Sequence, residues 1–214
     1  MQIFNIDEFN KTECVIFDFD DTLYTQLNKE ENYLNYVIKT LCDILTIDNN
    51  KAIDILKNFD FFNTSQRPRL TAIMKSFGNE ILDAYNQYRI NNFYMPSLIG
   101  LKKVSNSKLK SLKDKCIVCL VSGEYELNVE KKADAMKIDL SLFDYLAFGN
   151  IEQKKEKEEI YKEIIQKFGV SSEQVLVIGD RYMVDIDPIV KLGGGGVLVN
   201  NSDEATLVIN EIIK

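Results

Sequence analysis

The chain contains no histidine. Without an imidazole, Ser-His and Cys-His nucleophilic catalysis are excluded, as are the usual histidine-bearing zinc sites. Acid–base chemistry must come from carboxylates, lysine, tyrosine or cysteine. Long apolar runs are missing too: none approaches the ~20 residues that span a bilayer. The opening segment, MQIFNIDEFNKTE, lacks the basic and apolar regions of a signal peptide, so none is expected. Four cysteines in 214 residues do not make a disulfide framework. A soluble protein of a reducing compartment, the cytoplasm, is the expectation. Positive charge is in deficit, with 26 Lys and Arg against 33 Asp and Glu and a net charge of -7. That balance disfavours nucleic acid and anionic membrane as partners. It suits a hard cation such as Mg²⁺, although surface acidity alone would give the same composition.

What is present reads as one core carrying an insert. Glu13 to Phe19 is a β-branched and aromatic run that predicts a buried strand, ending abruptly in Asp18-Phe19-Asp20-Asp21-Thr22. Helical spacing follows at Leu34, Val37, Ile38, Leu41 and Leu45, with Asn28 and Glu31 expected as a capping box. Further helices are expected around Ala52–Phe59 and Leu70–Phe77, and another capped by Asn79. No strand signal interrupts residues 25 to 93. Beyond Pro96 the pattern alternates: strands at Cys116–Val121, Tyr145–Phe148, Val175–Ile178 and Gly196–Val199, each separated from the next by a helix. Short apolar strands alternating with helices predict an α/β fold, a Rossmann-like parallel sheet covered on both faces. The run Gly193 to Gly196 precedes a strand instead of opening a helix, so it reads as a turn and not a phosphate cradle.

Three of these strands end in polar residues: Asp18 and Asp20, then Ser122, then Asp180. In an open parallel sheet, ligands sit beyond the carboxyl ends of the strands, so these residues converge on one rim. Asp18 and Asp20 flank a single residue and would share a face of an extended chain end. Two such carboxylates can divide labour, one ionised and one proton-loaded. Turn and cap chemistry would also place aspartates there. Cys116 and Cys119 read as packing residues on opposite faces of their strand.

Asp18-Phe19-Asp20-Asp21-Thr22 resembles the first motif of the haloacid dehalogenase superfamily, an apolar strand ending in DxDx[TV]. Ser122 after Val118–Val121 is similar to the second motif. Gly179-Asp180 with Asp185 is similar to the fourth. The third is a lysine, usually six residues before an aromatic. Lys155 stands six before Tyr161, with Lys154 as a rival, because Glu156 occupies the place where the family often has proline. The resemblance covers residues 13–23 and about 107–200. It implies a catalytic core of residues 1–24 and 97–214, with residues 25–96 forming an all-helical cap inserted after the first core strand.

The resemblance also implies roles. Asp18 would be nucleophile and metal ligand. Asp20 would be the general acid and base, giving its backbone carbonyl to the metal. Asp180 and Asp185 complete the Mg²⁺ site, while Ser122, Thr22 and Lys155 hold the substrate phosphate. Dehalogenases typically lack the second aspartate and transport ATPases carry threonine there, so Asp20 points to phosphatase or phosphomutase chemistry. The expectation is a Mg²⁺-dependent phosphatase acting on a small-molecule phosphomonoester through an aspartyl phosphate. A phosphomutase, or a non-catalytic binding module of the same fold, is the alternative. Arg67 and Arg69 in the insert could meet a second substrate anion, since guanidinium suits bidentate contacts, or simply be surface residues.

Overall fold

In the computed structural model, which describes residues 1–6, 8–63, 67–149 and 156–214, six strands form one sheet in the order β1-β8-β7-β2-β5-β6. β2 (Cys14–Phe17), β7 (Val175–Gly179) and β5 (Ile117–Tyr125) lie at the centre, flanked by β8 (Gly195–Leu198) and β6 (Tyr145–Gly149). All these pairings are parallel. The sheet as a whole is mixed, because β1 (Gln2–Phe4) runs antiparallel along β8. Three residues, two of them exposed, give too short a run for periodicity to betray that edge strand.

β2 is buried along its whole length, as its apolar sequence requires of a strand covered on both sides. Its alternate residues feed different layers. Val15 and Phe17 pack with Leu109 and Leu112 of α5 (Asn106–Lys113), Val129 and Ala133 of α6 (Glu126–Met136), and Val208 and Ile209 of α9 (Ser202–Ile213). Cys14 and Ile16 pack on the opposite face with Ile160 and Ile164 of α7 (Lys157–Phe168) and Ile189 of α8 (Asp187–Lys191). The four cysteines are free. Among the described residues no helix is long and apolar enough to cross a membrane.

The glycine run divides its work. Gly193, at φ +89°, makes the turn, whereas Gly195 and Gly196 lie inside β8. A Cβ on Gly195 would come within 2.3 Å of Ile6, and one on Gly196 within 2.5 Å of Ile186. Glycine there allows close packing against the strand.

The chain divides into two compact units, residues 1–27 with 98–214, and residues 28–97. β3 (Tyr24–Thr25) and β4 (Lys102–Lys103) pair antiparallel, so Tyr24 and Thr25 go with the sheet unit although the sequence suggested a break at 25. The second unit is built on α1 (Lys29–Leu45), α2 (Asn49–Asn58), α3 (Leu70–Ser76) and α4 (Asn79–Asn91) around Val37, Leu41, Leu56, Ile73 and Met74. The expected capping box at α1 does not form. Asn28 is left-handed (φ 54°) and makes no side-chain cap, whereas a capping side chain needs extended backbone. At α4, Gly78 takes the cap position and Asn79 is the first helical residue.

Candidate active site

The parallel register sets Phe17 level with Leu120 on one side and Ile178 on the other. Asp18 and Asp180 therefore leave the sheet at one edge, beside Ser122, which lies within β5. The Asp18 amide still donates to the Ile178 carbonyl at 3.0 Å, which fixes the first carboxylate to the frame. The chain then turns sharply: Leu23 N–H bonds back to Phe19, and Asp21 takes a left-handed conformation (φ 61°). Aspartate is among the few residues that tolerate it.

Carboxylate oxygens of Asp18, Asp180 and Asp185 lie within 4.8 Å of one another. Asp185 reaches them from one wide helical turn, Tyr182–Ile186, and is fully buried. Gly179 makes this possible, since a Cβ there would stand 2.5 Å from the Asp185 Cβ. The Arg181 amide donates to Asp185 Oδ2 at 2.9 Å, and the Tyr161 hydroxyl donates to its backbone carbonyl at 3.2 Å. Lys157 closes the arrangement. Its Nζ donates to Asp18 Oδ1 and Asp185 Oδ1, each at 2.6 Å, from the first residue of α7.

Burial, followed by the neighbouring negative charges of Asp18 and Asp185, pushes the Asp180 carboxyl up to about 7. Asp18 is raised to about 6 by burial, against the pull of Lys157. Lys157 is held above its ordinary value because, although burial disfavours its charge, Asp18 and the other partners favour it. Three clustered carboxylates share the Lys157 ammonium and, 3.8 Å from Asp180, the half-exposed Arg181 guanidinium, which still leaves them short of positive charge. An all-oxygen donor set with that deficit fits a hard divalent cation of the Mg²⁺ type.

Asp20 is set apart from this cluster. Its Oδ1 accepts from Lys132 Nζ at 2.8 Å and from the Tyr24 hydroxyl. Burial would raise its pKa, but the Lys132 charge and these hydrogen bonds outweigh it and hold the carboxyl below its usual range. Ser122 is buried and accepts from the Glu124 amide at 3.1 Å, within an irregular stretch of β5. The Thr22 hydroxyl is buried without a hydrogen-bond partner. Arg67 is engaged inside the helical unit, donating to the Phe61 carbonyl and to Glu30 and lying over the Phe61 ring. Arg69 is exposed at the start of α3.

Lys154 and Lys155 lie outside the described residues. The lysine that the structure sets against Asp18 is Lys157, which sequence reasoning passed over within the run Lys154 to Glu159. A signal was available: Lys157 and Tyr161 are four residues apart, hence on one face of a helix, and both reach Asp185. Lys132 was missed as well. It shares the buried face of α6 with Asn128, Val129 and Met136, a position its spacing could have flagged.

A family model of haloacid dehalogenase-like hydrolases matches residues 12–193. The chain belongs to that family. Solved structures agree on the fold. A haloacid dehalogenase-like hydrolase from Streptococcus pneumoniae is similar at a TM-score of 0.59, with 15% identity over 93% of this chain and 91% of that one. A putative phosphatase from Clostridium difficile gives 0.56, with 21% identity over 91% of each chain. A HAD phosphatase from Thermococcus onnurineus gives 0.53, with 18% identity over 88% of this chain and 86% of that one. No curated protein matches.

Proposed function

We propose that this hydrolase is a Mg²⁺-dependent phosphatase that cleaves a small phosphomonoester through an aspartyl phosphate on Asp18. The observation that carries the reading is the separation of two kinds of carboxylate on one turn. Asp18 is tied to Lys157 and the acidic cluster, while Asp20, two residues on, is tied to Lys132 and Tyr24. Separate partners hold the two neighbouring carboxylates in separate places, which lets them take separate roles.

Asp18 and Asp180, backed by Asp185 and the Asp20 backbone carbonyl, would hold the cation. When bound it supplies charge neutralisation for the incoming phosphate. Lys157 takes the place proposed from sequence for Lys155, adding fixed positive charge beside the nucleophile. The Ser122 hydroxyl, with the unpartnered Thr22 hydroxyl as a candidate helper, is available to a phosphoryl oxygen. As Asp18 forms its bond to phosphorus and the ester P–O bond breaks, Asp20 delivers a proton to the leaving oxygen. Water then attacks the aspartyl phosphate, losing a proton to Asp20 and freeing inorganic phosphate. Substrate selection is assigned to residues 28–97, with Arg69 as the candidate for a second anion. Four free cysteines, three of them buried, accord with a cytoplasmic chain.

The test is phosphate release from a panel of sugar phosphates, nucleoside monophosphates and phosphorylated acids, with Mg²⁺ and with EDTA. Mg²⁺-dependent release supports the reading. Transfer of the phosphoryl group without release would make the chain a mutase, and no reaction with any compound would favour a binding module.

A further inference from the structure

Lys132 is 2% exposed, on the face of α6 that packs against the sheet. Packing alone gives no reason for it. Val129, Ala133 and Met136 occupy the same buried face, and taking an ammonium out of water is expensive unless its partners are well placed. Lys132 has such partners: Asp20 at 2.8 Å and Glu124 at 3.8 Å, with Glu124 itself accepting from Asn128 at 3.1 Å. Glu124 belongs to the irregular end of β5 and Asp20 to the turn after β2, so Lys132 ties two strand ends together at the catalytic edge.

The hydrogen bonds from Lys132 and Tyr24 both land on Asp20 Oδ1. The carboxyl plane is thereby fixed by one oxygen, leaving Oδ2 as the atom that can carry a proton. We infer that Lys132, assisted by Tyr24, is the positioning device of the acid step: by holding Oδ1 it aims Asp20 Oδ2 at the leaving oxygen. Lys132 touches neither phosphate nor leaving group in this scheme; it acts through Asp20. The inference rests on the phosphatase reading above.

A leaving group that needs no proton separates this role from a structural one. 2,4-Dinitrophenyl phosphate expels a stable phenolate unaided, whereas phenyl phosphate, of similar shape, needs the proton. Since kcat/KM reports the steps through formation of the aspartyl phosphate, it isolates the half-reaction in which Asp20 is the acid. Lys132→Met should lower kcat/KM on phenyl phosphate by ~100-fold, the lower range for a positioned general acid, and on 2,4-dinitrophenyl phosphate by less than about threefold. Lys132→Arg should recover most of the loss. Tyr24→Phe, which removes the second donor, should show the same selectivity on a smaller scale, and it carries the test if Lys132→Met does not fold. Equal losses on the two esters, or none on phenyl phosphate, would overturn the inference while leaving the phosphatase reading intact. Wild-type protein that releases phosphate from neither ester nor any compound of the panel above overturns the inference together with the reading on which it rests.

Discussion

Replacing Lys157 by methionine probes the stability of the site and its chemistry at once. The side chain loses its charge and only its terminal atom, so most of the apolar packing at the start of α7 survives. Two hydrogen bonds of 2.6 Å vanish, and the buried carboxylates of Asp18 and Asp185 are left facing each other without the ammonium. Removing one partner from a buried ion pair typically costs about 3–5 kcal/mol. At roughly 2–4 °C per kcal/mol for a chain of this size, the melting temperature of metal-free protein should fall by ~6–20 °C at pH 8. The penalty should shrink at pH 5, because Asp18, already raised to about 6, can take up a proton and relieve the repulsion. Lys157 itself stays charged across that range, since its pKa is raised and its own contribution is lost only at strongly alkaline pH. Turnover of phenyl phosphate should drop by ~10²–10³-fold, the scale for removing one fixed electrostatic group. Lys155→Met and Lys154→Met are the controls and should retain turnover within about threefold. The reasoning is refuted if folded Lys157→Met melts within 2 °C of wild type at pH 8, or if Lys155→Met is the variant that abolishes turnover.

Asp18→Asn should abolish turnover while leaving the fold intact by circular dichroism, because an amide is a poor nucleophile; retention of a tenth of wild-type activity would remove Asp18 from that role. Asp180→Asn should raise the Mg²⁺ concentration needed for half-maximal activity by at least ~10-fold, and an unchanged requirement would exclude it as a ligand. Metal-free protein should lose stability as pH rises from about 4 to about 7. The native state holds protons on Asp18 and Asp180, at about 6 and about 7, that an unfolded carboxyl at 3.8 has already lost, so their contribution declines through that window. Melting curves in EDTA should show this decline, weaker in Asp180→Asn and weaker again with Mg²⁺. An equal decline in Asp180→Asn would place its source elsewhere.

The central strands were legible in the sequence because each is a continuous apolar run closed by a polar residue. β2, β5 and β7 fall on Val15–Phe17, Val118–Val121 and Val175–Ile178, although β5 runs on to Tyr125, and bringing Asp18, Ser122 and Asp180 to one edge needed only the rule for open parallel sheets. β1, β3 and β4 were not legible. Each has two or three residues, and pairing across the fold, not local pattern, makes them strands. The Asn28 cap failed for a related reason: side-chain identity suggested it, but the backbone entering α1 is left-handed, and only the folded chain fixes that angle.

The lysines show what residue type can and cannot give. Counting six residues back from Tyr161 leads to Lys155, which lies outside the described residues, whereas the contacts made from α7 itself follow from helix geometry. Tyr161 is anchored to the backbone of Asp185, so a residue that shares its helix face and lies one turn earlier must also point at Asp185. Lys157 satisfies this at four residues. Lys132 follows the same logic from the other side of the sheet. Asn128, Lys132 and Met136 repeat every four residues on the buried stripe of α6, so the lysine must enter the interior beneath the turn that carries Asp20. A charged residue on an apolar stripe has to find a partner or lose its charge. That requirement can be read from the sequence before any contact is seen, whereas the identity of the partner needed the fold.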